Sequence, residues 1–419
     1  MKEFDWIVVG GGIAGISISE ILTREGFSVA LVEKNKKLAS VATKEFHEWV
    51  HTGSLYTLMK DEMKTLKYIL GSLDDILEFY SSFPNMNLHP TENGLKIIHR
   101  KKNWFNQNYI NFKYRLKNRK FIISWIYSIS RSIALIEGIR QHDWLRRRAG
   151  ILESVTAKYY LPILKNFLKI LVSNEKFIQI ESTDFTTNSR LLLEDLVANS
   201  IANGLKIFTE NELLEVTSDG EEIVARCDKE IIKGKKMAIC TGGGLEKFTN
   251  IKLKKSYAPI AVVKNVPPAT KSFVELDYFK NKCINIVTKG SSYGMIGGIS
   301  LSKKEDVEKY FDYMIEEHKK LNSDIEVLQK YVGIKNEILN KSDGEDRNYL
   351  FHINESDKFK NVWSIIPGKF TLAFSLAPEF FRKIYKKNPK KHFKASSHNE
   401  SLSSIIENTV WGEVQSRKN

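Results

Sequence analysis

Hydrophobic positions change rhythm within the first stretch of the chain. Trp6, Ile7, Val8 and Val9 form an unbroken apolar run, the pattern of a parallel strand buried on both faces. Ile13, Ile16, Ile18, Ile21 and Leu22 then recur at roughly helical spacing, and Gly26 suits a helix stop. Val29, Ala30, Leu31 and Val32 make a second apolar run that ends at Glu33. Strand, helix and strand therefore follow one another with no long connection.

Similar reasoning extends along the chain. Residues 58–80 predict a helix with Leu66, Ile69, Leu70, Leu73, Ile76 and Leu77 on one face. Residues 177–181 predict a strand, and 183–188 a cap for a helix over 189–203 that stops at Gly204. Strands are expected at 205–208 and 213–216, with a hairpin at Asp219 and Gly220. The apolar run 237–240 leads into Thr241, Gly242, Gly243 and Gly244, a second glycine-rich turn. Residues 257–299 are β-rich, and 306–320 and 324–331 predict helices. Residues 361–378 predict a strand, a Pro-Gly turn and a helix. The end of the chain, 386–419, is basic and polar and is expected to be mostly a loose tail, with a last helix over 403–411 as the alternative.

The turn between the first strand and helix carries candidate chemistry. Gly10, Gly11, Gly12, Ile13, Ala14 and Gly15 satisfy G-x-G-x-x-G. Gly10 permits the tight turn, Gly12 lets a pyrophosphate approach the backbone, and Gly15 lets the helix lie close to the sheet. Free N–H groups and the positive end of the helix dipole then face phosphates. Glu33 stands about 20 residues beyond the glycines, where a carboxylate receives a ribose hydroxyl. A carboxylate there disfavours a 2′-phosphate, so FAD or NAD fits better than NADP. The competing reading is a glycine-rich turn that binds nothing.

Composition narrows this. A chain of 419 residues implies two or three structural units, and 42% hydrophobic residues suffice for a globular core. Cys227, Cys240 and Cys283 are scattered without CxxC spacing, which fits a reducing cytoplasm. The nine histidines show no metal-ligand spacing, so no metal is expected. The chain opens almost directly on its first strand, so no secretory leader is expected. The most apolar window, 121–136, is short for a membrane span and contains Arg131. A net charge of +14 favours anionic partners, unless the lysines serve solubility alone. Residues 100–148 interleave Arg100, Lys113, Arg115 and Arg119 with Trp104, Phe105, Tyr109 and Phe112. This block reads as an insertion whose aromatics fill its own core, a lid over an anionic substrate, or a membrane-surface helix, in that order.

Four separated segments resemble one family, the FAD-dependent oxidoreductases of the D-amino-acid oxidase and glycine oxidase superfamily, which includes glycerol-3-phosphate dehydrogenase and L-2-hydroxyglutarate dehydrogenase. The segments are 8–33, the His51-Thr52-Gly53-Ser54-Leu55-Tyr56 stretch, 184–216, and the pairing of 239–243 with 366–373. The resemblance implies an α/β fold: a Rossmann-like FAD-binding domain, discontinuous in sequence, with a β-rich substrate domain and a helical insertion. The expected divisions are 1–83, 177–255 and 341–385 for the FAD-binding domain and 84–176 with 256–340 for the substrate domain. FAD contacts would come from Gly10 to Gly15, Glu33, Lys34, Ser40, Thr43, Thr52, Gly53, Leu213, Thr241, Gly242, Gly243, Gly368, Lys369, Phe370 and Thr371. The family's usual run of serines and threonines after the second strand is thinned here to Ser40 and Thr43.

The implied reaction removes a hydride from a C–H beside an amine or hydroxyl of a small anionic substrate, with dioxygen or a membrane quinone taking the electrons. His51 is the candidate base, with a histidine that merely hydrogen-bonds backbone as its alternative. Arg347 is a candidate for a substrate carboxylate or phosphate, and Tyr56 is a further candidate more often found in a core. Two other readings stand beside this one: a flavoprotein acting on RNA, with nucleic acid the disfavoured partner, and an FAD-binding protein without turnover. The expected location is cytoplasmic, with peripheral contact at the inner membrane face left open.

Overall fold

The computed structural model describes residues 3–45, 47–51, 64–91, 94–98, 104–105, 112–117, 177–182, 184–277, 282–290, 292–339, 350–391 and 402–417. Two sheets organise these residues. In the eight-stranded one the first strand, Glu3–Val9, is central, with Val29–Val32 and Ile231–Ile239 parallel on either side. Lys206–Phe208 extends the sheet in parallel beyond Val29–Val32. Ile231–Ile239 changes partner along its length. Its early part pairs antiparallel with Ile223–Cys227, and its last residues pair in parallel with Val362–Ile366.

The apolar runs sit where burial on both faces demands them. Trp6 and Val8 point into a core shared with three helices, Ile13–Arg24, Ser189–Ala202 and Ala373–Tyr385. Ile7 and Val9 point the other way, into a core with Val216, Ile223, Met237 and Val362. Buried polar groups fix how the helices meet. Glu20 accepts from Arg24 Nη2 at 2.5 Å and from Asn199 Nδ2 at 2.7 Å. Asp75, on the helix Lys64–Tyr80, accepts from Arg382 at 2.9 Å and from Ser375 at 2.5 Å. Pairing offsets part of the desolvation cost that isolated buried charges incur.

The second sheet has seven strands in the order Glu326–Ile338, Leu253–Lys264, Tyr293–Gly298, Lys282–Lys289, Phe273–Asp277, Phe112–Lys117 and Phe177–Ser182. Its back is covered by the helix Val307–Leu321, which buries Val307, Phe311 and Met314 against Ala261, Ile284 and Ile296.

Three expectations change. Residues 324–331 are not helical: Glu326–Ile338 is a strand paired along its length with Leu253–Lys264. A register shift at Val262 and Val263 breaks its alternation, so Val327 and Val332 share one core while Leu328 and Tyr331 join another. That irregular spacing imitates a helical period. Phe177–Ser182 joins the seven-stranded sheet rather than the nucleotide sheet. The end of the chain is not a loose tail throughout, because residues 402–417 fold into the turn Leu402–Ser404 and the helix Val410–Ser416.

Two aromatics of the basic block are core residues. Trp104 and Phe105 are fully buried, and Trp104 Nε1 donates to Asp195 at 2.6 Å. Residues 118–148 of the block lie outside the described residues, as does the apolar window 121–136. Among the described residues no helix is long and apolar enough to cross a membrane. Trp104→Ala should therefore lower unfolding free energy by about 3–5 kcal/mol, read by urea denaturation. An unchanged midpoint would mean that the indole is not a core residue.

Candidate functional site

The register of the nucleotide sheet gathers its loops. Val9 lies beside Val32 and Ile239, and Ile239 beside Ser364. The chain therefore leaves four neighbouring strands at one carboxyl edge, as Glu33, Gly10, Cys240 and Pro367. Four adjacent strands span about 14 Å at their usual separation. Open α/β sheets take ligands along this edge.

The glycines there differ in their demands. Gly10 has φ +105, and a Cβ on it would stand 2.5 Å from the Cys240 carbonyl oxygen. Gly12 caps the helix Ile13–Arg24 without a side chain, and a Cβ there would meet only Thr43 Oγ1, at 3.3 Å. Packing requires glycine at position 10, whereas Gly12 leaves space for something else. The helix has no acid in its first turn, so its positive end is not neutralised by its own side chains.

Side chains from the following loop complete the cradle. Glu33 Oε2 accepts from Gly11 N–H at 2.7 Å, while Oε1 accepts from the Asn35 N–H and Nδ2 at 2.8 and 2.7 Å. A carboxylate can accept about four hydrogen bonds, so one direction remains for a ligand hydroxyl. Thr43 Oγ1 accepts from Ile13 N–H at 3.1 Å. Ser40 Oγ and Thr241 Oγ1 are buried with no hydrogen-bond partner. Unsatisfied buried hydroxyls are costly, and a polar ligand lying along the edge would satisfy them. The donors, the gap over Gly12 and these hydroxyls fit the diphosphate and ribose of FAD.

A second cluster lies where His51 meets the loop after Val362–Ile366. The short strands Trp49–Val50 and Phe185–Thr186 pair antiparallel, which brings His51 to Asp184. His51 Nδ1 lies 3.2 Å from Asp184 Oδ2, the Trp49 Nε1–H donates to the same oxygen at 3.1 Å, and the two ring centres lie 4.4 Å apart with the planes tilted by 35°. His51 N–H donates to Thr371 Oγ1 at 2.9 Å. Burial lowers the His51 pKa, Asp184 opposes this, and the charges of Lys369 and Lys335 reinforce it. The imidazole is therefore neutral at pH 7, and Asp184 as acceptor favours the tautomer with its proton on Nδ1.

More cations stand nearby. Lys335 Nζ donates to Ser300 Oγ at 2.9 Å. His47 is pushed down to about 3 by burial and by Lys335 and Lys289, so it too is neutral. Lys289 is paired with Glu48, which also accepts from the N–H and Oγ of Ser189 at 2.8 and 2.6 Å.

Residues 5–161 match the model of the family described as FAD dependent oxidoreductase, the DAO family. This part of the chain is similar to that family's FAD-dependent oxidoreductase domain. A search of curated protein sequences finds no match. Solved structures with the same fold include an FAD-bound L-alpha-glycerophosphate oxidase from Mycoplasma pneumoniae, 15% identical, with TM-score 0.62 over 96% of this chain and 100% of that one. Another is a glycine oxidase from Geobacillus kaustophilus, 12% identical, with TM-score 0.59 over 96% and 100%. A third is an L-proline dehydrogenase from P. horikoshii, 13% identical, with TM-score 0.61 over 93% and 95%.

Most of the residues anticipated for cofactor binding lie on the loops of this edge. Gly10 to Gly15, Glu33, Ser40, Thr43, Thr241 and Gly242 lie on these loops, Thr371 bonds His51 and Lys369 acts on it through its charge, with Gly368 and Phe370 beside them in the chain. Lys34 is exposed, Leu213 belongs to the core beneath the sheet, and Gly243 faces Asn336. Thr52, Gly53, Tyr56 and Arg347 lie outside the described residues. Asn35, His47, Asp184 and Lys335 were missed. For Asp184 the sequence offered only a helix-capping context, since its partner is far away in the chain.

Gly12→Val should leave the fold intact and abolish the yellow flavin spectrum of the purified protein, since its side chain enters the gap. Glu33→Gln should weaken FAD binding about tenfold by losing a charge-assisted bond, measured by titration of the FAD-free protein. Retained flavin in Gly12→Val would refute this placement of the diphosphate.

Proposed function

We propose that this protein is an FAD-dependent oxidoreductase that removes a hydride from a C–H bearing a hydroxyl or amine on a small anionic substrate, with His51 as the base. The observation that carries this reading is the His51–Asp184 pair held beside Lys335 and Lys369 at the end of the cradle. FAD, when bound, supplies the hydride acceptor, and dioxygen or a quinone is the proposed final oxidant. His51 Nε2 takes the hydroxyl or ammonium proton as the C–H bond breaks. Asp184 holds the ring by Nδ1 and stabilises the imidazolium that forms. Lys335 and Lys369 attract the carboxylate or phosphate and keep His51 unprotonated before substrate binds. Arg347 remains the proposed partner for that anion and Tyr56 a further proposed contact. Likeness to a glycerophosphate oxidase and a glycine oxidase supports a small substrate of this kind.

Anaerobic addition of amino acids, hydroxy acids and sugar phosphates should identify a compound that bleaches the bound flavin. With it, His51→Asn should lower kcat by about 10²–10⁴ while FAD is retained. The acid limb of kcat/KM should lie below pH 6.5, because the lowered pKa keeps His51 neutral down to that range. Lys335→Ala removes one cause of the lowering, so the limb should move to higher pH and KM for the anion should rise. Turnover unaffected by His51→Asn would remove His51 from the chemistry.

A further inference from the structure

We propose that residues 402–417 belong to the cofactor site: they position the hydroxyl-bearing loop 37–45 against the glycine turn and thereby set FAD affinity. This rests on the FAD reading of that cradle. The loop carries Ser40 and Thr43, yet its bonds to the glycine turn are few. Ala39, in the left-handed region at φ 59, donates to Gly11 O at 2.8 Å, and Thr43 accepts from Ile13.

The end of the chain supplies what the loop lacks. Leu38 N–H donates to Ile405 O at 2.8 Å, and Glu407 N–H donates to Leu38 O at 2.9 Å, which makes a parallel bridge between Leu38 and Ile406. Arg190 Nη1, on the helix Ser189–Ala202, holds the Ile406 carbonyl at 2.6 Å. Leu38 and Ile406 are both fully buried. Leu38 Cδ2 lies 2.5 Å from where a Cβ of Gly11 would stand, so the leucine occupies the space that the glycine leaves. Contacts thus run from Ile406 through Leu38 to Gly11, whose N–H is held by Glu33.

The other end of the segment is anchored on the substrate sheet. Val410 and Val414 pack on Val262, Trp411 meets Tyr293 at 5.4 Å, and Glu413 pairs with Lys44 at 3.3 Å. The loop is therefore fastened between both sheets. Ordering a backbone costs conformational entropy, and a loop held in place beforehand loses less of it when the ligand arrives.

Two variants test this: a chain ending at residue 401, and Glu407→Pro in the full chain, which removes the N–H that bridges to Leu38. FAD-free protein is titrated with FAD by flavin fluorescence quenching, and its far-UV spectrum and melting are recorded without FAD. Both variants should raise the dissociation constant at least about tenfold. Glu407→Pro should keep a FAD-free melting temperature close to that of the full chain, while its FAD-induced rise shrinks. Glu407→Ala keeps the N–H and should bind like the full chain, which separates the bridge from the 3.8 Å ion pair with Lys37. Undiminished FAD affinity in either folded variant overturns the proposal. So does unfolding of both variants without FAD, which would make the segment a core element only. A full chain that binds no FAD would instead overturn the cofactor reading itself.

Discussion

The seat of the first helix depends on an absent side chain. A Cβ on Gly15 would stand 1.9 Å from the carbonyl oxygen of Gly10, an impossible approach. Glycine alone lets the helix begin against the end of the central strand. From that contact follow the direction of the helix axis, the placing of its first N–H groups at the sheet edge, and the reach of Glu33 to Gly11 at 2.7 Å. The glycine turn is thus mostly backbone, and it is shaped by packing before any ligand is considered.

What the sequence revealed divides by range. The strand, helix and strand at the start are local, so their periodicity and glycines are enough to read them. Residues 306–320 were legible for the same reason: the amphipathic face of Val307, Phe311 and Met314 recurs at helical spacing. Glu326–Ile338 was not, because its register shift disturbs the alternation that marks a strand. His51 could be picked out by its place in a resembling segment. Its partner Asp184 could not, because the two meet only through the pairing of Trp49–Val50 with Phe185–Thr186. The ordered end of the chain was hidden by composition, since 386–391 is lysine-rich while the buried contacts of Leu402 and Ile406 are sparse in sequence.

Charge illustrates why net values mislead. The excess of +14 is a property of the whole chain, yet among the described residues the cations that act on the two neutral histidines are Lys289, Lys335 and Lys369. Burial withdraws the proton from each imidazole, and nearby ammonium groups keep it away. An anion arriving between these groups would reverse part of that effect. Its charge would then raise the His51 pKa, as a consequence of Coulomb's law rather than of any movement.

The strand Ile231–Ile239 has a further consequence for biosynthesis. Its final residues wait for Val362–Ile366, which is made only after most of the seven-stranded sheet has left the ribosome. Until then that part of the strand presents an unpaired edge, the surface on which growing chains aggregate. The last neighbour to be synthesised is also the one that carries Thr371 to His51. Completion of the nucleotide sheet and the joining of Thr371 to His51 are therefore one late event in the life of the nascent chain.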